Sequence, residues 1–197
     1  MRKIVAGLFM SLDGVVELPE RWGFQYFNQE ITSAITAGIA QADAVLLGRV
    51  SYERFAEMWP SQGDDVPMAS FLNRSTKFVV SSTLDTLKWQ PATLIRGDLV
   101  AEITKLKQQP GKNIQVPGSP HLVRWLMLAG LLDELSLSIC PIVVGSGFHL
   151  FDEVTREIRL NVIHATILNN GVIGVTYQPG ESGMEPPISF QRAAMGQ

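Results

Sequence analysis

Short apolar runs alternate with amphipathic helical patterns along most of the chain. Uninterrupted apolar segments are typical of strands buried on both faces, and apolar positions spaced three and four residues apart are typical of helices. Strands are predicted at residues 3–9, 44–47, 77–80, 93–96, 114–116 and 135–139. Helices are predicted at 29–41 with Asn28 as the N-cap, at 52–58 with Ser51 as the N-cap, at 99–108, and after Pro120.

The C-terminal part of the pattern differs from the rest. Two further strands, at 161–168 and 172–177, are separated by Asn169-Asn170-Gly171, which is a strong hairpin signal. The whole pattern predicts an α/β fold with three layers: a central, mixed and mostly parallel sheet, flanking helices, and an antiparallel C-terminal hairpin. Residues 1–178 are expected to form one domain, residues 17–27 an irregular aromatic loop, and residues 179–197 an extended tail.

Composition narrows the range of partners. The 197 residues carry a net charge of −3 without a basic block, which argues against a nucleic-acid partner. The single cysteine, Cys140, lies in an apolar strand pattern and is expected to be a buried thiol. The N-terminal apolar run is too short for a membrane span and lacks a cleavage pattern, so a cytoplasmic location is expected. The three histidines have no metal-ligand spacing, so no metal site is predicted.

Glycine, serine and arginine stand at the ends of four predicted strands. Each of these turns, taken alone, also fits ordinary turn chemistry. In open α/β sheets, however, ligands bind beyond the carboxyl ends of the strands, and glycine turns that open helices hold phosphates. The set predicts a nucleotide ligand, although neither Gly-x-Gly-x-x-Gly nor a Gly-Lys-Ser/Thr loop is present. The residues concerned are Gly48, Arg49, Ser51, Ser81, Ser82, Arg96, Gly118 and Ser119.

Residues for substrate binding and proton transfer are few. Trp22, Tyr52 and Trp59 are candidates for lining a pocket for a planar ring, with core packing as the alternative. Asp13 and Glu30 are the carboxylates nearest to the predicted pocket. No Ser/His/Asp or Cys/His arrangement can be argued. Hydride transfer fits such a site, because it depends more on orientation than on a nucleophile.

Several motifs resemble the reductase domain of the bifunctional riboflavin-biosynthesis deaminase–reductases. They are SLDG at 11–14, ADAVLLGR at 42–49, VPGS at 116–119, AGLLDEL at 129–135 and PIVVGSG at 141–147. The resemblance implies a dihydrofolate-reductase-like fold with NADPH in the cleft at the strand ends. It also implies cofactor contacts from Gly48, Arg49, Ser51, Ser81, Ser82, Arg96, Gly118, Ser119, Pro120, His121 and Leu122, and places Asp13 and Trp22 beside the nicotinamide and substrate.

The chain also departs from that family. The zinc deaminase domain is absent, and Pro117 stands where those enzymes tend to carry an acidic residue. The expected function is an NADPH-dependent reductase of a small heterocyclic substrate, with 5-amino-6-(5-phosphoribosylamino)uracil as the nearest named guess. A non-catalytic nucleotide-binding protein and a divergent dihydrofolate reductase remain alternatives, the latter without a carboxylate within residues 25–28. A homodimer is expected through the apolar strands 135–139 and 162–168, taken as edge strands, together with the extended tail.

Overall fold

The computed structural model describes residues 1–180, apart from positions 64 and 153. Within them one sheet contains the strands β1 (Ile4–Ser11), β2 (Ala42–Gly48), β3 (Thr76–Val80), β4 (Ala92–Ile95), β5 (Asn113–Pro117), β6 (Glu134–Cys140), β7 (Leu160–Ile167) and β8 (Ile173–Pro179). The α-helices are α1 (Pro19–Trp22), α2 (Gln29–Ala40), α3 (Arg49–Met58), α4 (Pro67–Arg74), α5 (Leu99–Gln108) and α6 (Pro120–Leu128).

The strands follow the order β4-β3-β2-β5-β1-β6-β8-β7 across the sheet. The first six are parallel, whereas β8 pairs antiparallel with both β6 and β7. This confirms the predicted mixed sheet and its C-terminal hairpin. The prediction of an edge strand at 135–139 is wrong, because β6 lies between β1 and β8. Its Leu135 and Leu137 are buried by neighbours on both sides and by the helices above them.

Helices cover both faces of the sheet. On one face, α5 and α6 pack over the even-numbered apolar residues of β1, such as Ile4 and Leu8, and over Leu46 of β2. On the other face, α3 and α4 pack over Val45 and Leu47 of β2, and α1 and α2 pack near the end of β6. Because successive side chains of a strand point to opposite faces, one uninterrupted apolar run can supply both cores.

Helix starts agree with the sequence prediction in two cases and differ in two others. The side chains of Asn28 and Asp98 accept amide hydrogens of α2 and α5, as expected for N-caps. The start predicted for α3 is wrong: the helix begins at Arg49, with extended Gly48 as its N-cap, and Ser51 lies inside the first turn. Residues 17–27, predicted to be irregular, contain α1 and a 3₁₀ turn at Phe24–Tyr26.

The described part of the chain ends just after the sheet. Strand β8 ends at Pro179, so most of the predicted tail, from residue 181 onward, lies outside the described residues. Among the helices described, none is both long enough and apolar enough to cross a membrane. Cys140 is fully buried as predicted, and burial raises the pKa of its thiol to about 11.

Candidate functional site

Two glycine turns meet at the carboxyl edge of the parallel strands. The amide of Gly48, after β2, donates a hydrogen bond of 3.0 Å to the hydroxyl of Ser119, after β5. Strands β2 and β5 are neighbours, so this bond joins the turns that open α3 and α6. Gly118 has φ +112°, a conformation that favours glycine, and it places Ser119 at the start of α6. The structure thus brings together Gly48, Gly118 and Ser119, as the sequence predicts.

The helices that begin at these turns leave their first amides without a side-chain cap. Gly48 has no side chain to offer α3, and the Ser119 hydroxyl, engaged by Gly48, does not cap α6. Neither helix carries an acidic residue in its first turn, whereas α2 and α5 have both a cap and an acid. Free amides and the positive end of each helix dipole favour an anion at the paired turns.

The remaining candidates for cofactor contacts lie along the same edge. The guanidinium of Arg49 pairs with Glu53 at 2.9 Å, and that of Arg96 reaches Asp85 and the carbonyl of Leu84. Because β4, β3 and β2 are consecutive in the sheet, these arginines flank the turn after β3. In that turn the Ser81 hydroxyl accepts the amides of residues 83 and 84, whereas Ser82 is exposed.

A cleft of about 320 Å³ opens beside the ends of β1 and β6. Trp22 lies at this cleft, and its indole N–H donates to the carbonyl of Glu17 at 3.0 Å. Within α6, the His121 ring packs on Phe148, with ring centroids 3.8 Å apart. The cleft is lined by Glu17, Leu18, Arg21, Trp22, Val144, Ser146 and Gly147.

Two of the aromatic residues predicted for the substrate pocket lie elsewhere. Tyr52 lies on the buried side of α3, where its hydroxyl accepts the amide of Trp89 at 2.8 Å. Trp59 packs edge-on against Phe55, with centroids 6.1 Å apart, and its buried indole N–H has no partner among the described residues. Neither side chain lines the cleft that contains Trp22.

The carboxylates named from the sequence hold loops in place. Asp13 accepts the Ser11 hydroxyl at 2.6 Å and the amides of Val144 and Gly145 at 3.1 and 2.7 Å. These hydrogen bonds lower the pKa of Asp13 to about 2, the Ser11 hydroxyl contributing most. Glu30 accepts the amide of Asn169 at 3.0 Å, in the turn between β7 and β8. Asp13 is therefore ionised at neutral pH, which is unsuited to proton donation.

We expect Asp13→Asn to alter stability in acid. The folded carboxyl has a pKa of about 2 against 3.8 in a free chain, so its contribution is complete above pH 4. That contribution is lost as pH falls from about 4 to 2. Urea unfolding across this range should give a shallower pH dependence for Asp13→Asn than for the wild type. Asp85→Asn, at an exposed surface pair, is the control, and an equal change in both variants would contradict the assignment.

Sequence reasoning missed the role of Glu17 and the burial of Lys77. The Glu17 carboxylate accepts the amide of Phe148 at 3.0 Å, so it joins the loop after β1 to the loop after β6. Lys77 is fully buried, although it stands in a strand pattern where a lysine ordinarily reaches solvent. The Glu17 contact has no local signal, because Phe148 is far away along the chain. The partners of Lys77 are nearer, at Asn73, Ser75 and Gln90, but a lone lysine in a strand pattern gives no sign of burial.

Comparison with known proteins agrees with this fold. A family model described as the RibD C-terminal domain matches residues 2–173. A putative riboflavin biosynthesis protein from Shewanella sp. PV-4 has a similar structure, with a TM-score of 0.73 and 22% identity over 91% of this chain and 99% of that chain.

Two more distant structures share the fold. A diaminohydroxyphosphoribosylaminopyrimidine deaminase/5-amino-6-(5-phosphoribosylamino)uracil reductase from Thermotoga maritima matches with a TM-score of 0.64 and 11% identity, over 91% of this chain and 57% of that one. Dihydrofolate reductase from Enterococcus faecalis, complexed with NADP(H), matches with a TM-score of 0.55 and 14% identity, over 91% of this chain and 97% of that one. These likenesses confirm the expected dihydrofolate-reductase-like fold, and the family match covers nearly all of the chain: it belongs to the RibD C-terminal domain family.

Proposed function

We propose that this protein is an NADPH-dependent reductase of a small heterocyclic substrate. The observation that carries the proposal is the Gly48–Ser119 hydrogen bond, which sets two uncapped helix starts side by side. Pro120 has no amide hydrogen, so the donors of α6 are His121 and Leu122, and those of α3 begin at Arg49. This donor set fits the pyrophosphate of a dinucleotide, because an anion can accept these amide hydrogens and neither helix carries an acidic residue in its first turn.

The two ends of NADPH would then lie on either side of the paired turns. Ser82 and the flanking Arg49 and Arg96 offer a hydroxyl and two cations to the adenosine 2′-phosphate. In the other direction, the cleft beside β1 and β6 is two strand spacings from the turns between β2 and β5, about 10 Å. That separation suits a nicotinamide ring near Trp22.

Bound NADPH would supply a hydride to the carbon of a C=N or C=O bond in the substrate, and the heteroatom of that bond would take up the accompanying proton. The chain's own residues would bind and orient the two molecules, and Leu18, Trp22 and Val144 would keep water from the reacting faces. Because Asp13 is ionised and fully engaged by hydrogen bonds, we assign the accompanying proton to solvent. A riboflavin-pathway pyrimidine remains the nearest named substrate, in view of the reductase from Thermotoga maritima that shares the fold.

A matched pair of variants tests the cofactor site. Val50 and Val100 are both exposed, and each is the second residue of a helix that starts at the carboxyl edge. Val50→Asp places a carboxylate at the uncapped start of α3, which repels a phosphate but favours the helix dipole. We expect it to weaken NADPH binding at least tenfold without lowering the melting temperature. Val100→Asp, at the start of α5 that Asp98 already caps, should change affinity less than twofold.

Calorimetric titration and thermal shift provide the measurements. NADPH at one hundred times its Kd should stabilise the wild type by about 2.7 kcal/mol. No stabilisation at saturating NADPH would refute the cofactor proposal. An equal loss of NADPH affinity in Val50→Asp and Val100→Asp would refute the proposed position of the cofactor at the start of α3. Consumption of NADPH with pyrimidines, pterins and quinones tests the chemistry. Binding without consumption across that panel would instead favour a non-catalytic nucleotide-binding protein.

We also propose that two copies of the chain associate through β7. This strand forms one edge of the sheet, and its side chains from Asn161 to Ile167 are exposed on both faces. The exposed fractions of Val162 and Ile167 reach 58% and 77%, and an open strand edge favours pairing with a second chain. Light scattering should give a dimer for the wild type and a monomer for Ile167→Lys. A monomeric wild type would contradict the proposal.

A further inference from the structure

The middle of strands β1 and β5 is closely covered on one face of the sheet and open on the other. On the face of α5 and α6, Ala6 of β1 and Val116 of β5 are fully buried. On the opposite face, Gly7 of β1 and Gln115 of β5 are only half-buried, although both strands lie in the interior of the sheet. Val45 of the neighbouring β2, on that same face, is fully buried under α3 and α4. The helices therefore leave an opening over β1 and β5.

Gly7 forms the floor of this opening. Chain neighbours apart, a Cβ on Gly7 would meet one atom within 4 Å, the side-chain amide nitrogen of Gln115 at 3.5 Å. Phe9, the next residue of β1 on this face, is half-buried and stacks on Phe27 with ring centroids 5.9 Å apart. A floor without a side chain beside an aromatic wall leaves room for a planar ring.

Gln115 is a polar residue in a row that its neighbours fill with valine. In the register of the sheet it stands between Val45 of β2 and Val5 of β1. Its carboxamide makes no hydrogen bond with any residue that the structure describes. A glutamine on an open surface needs no partner, but Gln115 projects from an interior strand beside the gap over Gly7. Its donor and acceptor are therefore available to a molecule in the opening.

We propose that Gln115 determines specificity for a flat substrate ring that lies over Gly7 and carries a lactam edge, an N–H beside a C=O. This inference rests on the proposed function and specifies the substrate class. A carboxamide has a carbonyl oxygen and an NH₂ group in one plane, so it can accept the N–H of the ring and donate to its C=O. Phe9 packs against the cluster that contains Trp22, so the ring would lie beside the position proposed for the nicotinamide.

Two uncharged probes separate recognition of the edge from recognition of the ring. Quinazolin-4-one has a lactam edge, and quinazoline has the same fused rings without it. Binding of both to the wild type, Gln115→Leu and Gln178→Leu would be measured by calorimetry, with and without saturating NADPH. Gln178 is an exposed glutamine of β8, three strands from β5 on the same face of the sheet, so Gln178→Leu controls for the loss of a carboxamide.

We expect Gln115→Leu to weaken binding of quinazolin-4-one about tenfold without weakening that of quinazoline, because the two hydrogen bonds form with the first probe alone. Gln178→Leu should bind both probes as the wild type does. Equal losses for the two probes in Gln115→Leu, an equal loss in Gln178→Leu, or no saturable binding of quinazolin-4-one under either condition would overturn the inference.

Gly7→Ala tests the position of the ring. Gly7 is not among the glycines with positive φ, and the added Cβ would make an ordinary contact with Gln115 at 3.5 Å, so the melting temperature should not fall. The methyl group would occupy the floor of the opening, so both probes should bind about tenfold more weakly. Unchanged affinity for both probes in Gly7→Ala would contradict a ring placed over Gly7.

Titration of the same proteins with NADPH distinguishes this inference from the cofactor proposal. The Gln115 side chain lies within β5 and not at the paired glycine turns, so NADPH affinity should be the same within twofold in Gln115→Leu and the wild type. Absence of NADPH binding in every protein, with the lactam preference intact, would refute the reductase proposal alone. Normal NADPH binding without a lactam preference would refute the role of Gln115 alone.

Discussion

Gly147→Ala should lower the free energy of unfolding by about 3 kcal/mol. Gly147 has φ +127°, and a Cβ there would lie 2.9 Å from Cγ1 of Val15. Val15 is buried in the loop that follows β1, so it has no free space into which to move. Left-handed strain and overpacking each contribute about 1–3 kcal/mol. For a chain of this length, the melting temperature should fall by about 10 °C.

The same loop provides the control for this substitution. Gly145 also has a positive φ, +84°, but a Cβ there would meet nothing within 4 Å. Gly145→Ala should therefore show the strain alone, about 1 kcal/mol. Thermal unfolding of the two variants under identical conditions gives the comparison. If both lost the same stability, close packing between the loops after β1 and β6 would not be what makes glycine necessary at position 147.

Lys77→Met should abolish a gain of stability at alkaline pH. The buried Lys77 ammonium donates to the carbonyls of Asn73, Ser75 and Gln90, and it lies 4.4 Å from the ring centroid of Trp89. Burial lowers its pKa from 10.5 to about 8. Between these values the unfolded chain binds the proton and the folded chain does not, so the free energy of unfolding rises with pH. The rise attributable to Lys77 is up to about 3 kcal/mol.

Comparison with a variant is necessary because Cys140 acts in the opposite direction. The raised pKa of its thiol makes the folded chain bind a proton that the unfolded chain loses above pH 9, which lowers stability there. Urea unfolding from pH 8 to 10.5 should show the free energy of unfolding of the wild type rising relative to that of Lys77→Met. Lys112→Met, which removes an exposed amine near the carbonyl of Ala40, should show no such change. If the free energy of unfolding changed with pH to the same extent in the wild type and in Lys77→Met, the assignment of the effect to Lys77 would be contradicted.

Local patterns predicted the fold more fully than the site. Apolar runs located the strands, and Asn28 located the start of α2, because those signals are short-range. The prediction of β6 as an edge strand failed because an apolar strand has the same sequence pattern at an edge and in the interior of a sheet. Its place is set by pairing with β1 and β8, which are far away along the chain. Tyr52 shows the same limit for the site, since an aromatic residue suits a ligand pocket and a core equally well. Glycine turns were informative because the carboxyl ends of parallel strands must share one edge.

The Ser119 hydroxyl also bears on how the two halves of the proposed site depend on each other. The Ser119 hydroxyl joins the two turns and does not cap its own helix, so the first amides of α6 have no side-chain cap. Sequence change in the cleft beside β1 and β6 then leaves the amides where they are. Under the proposed function, the substrate could therefore change while the amides proposed to hold the cofactor stayed in place.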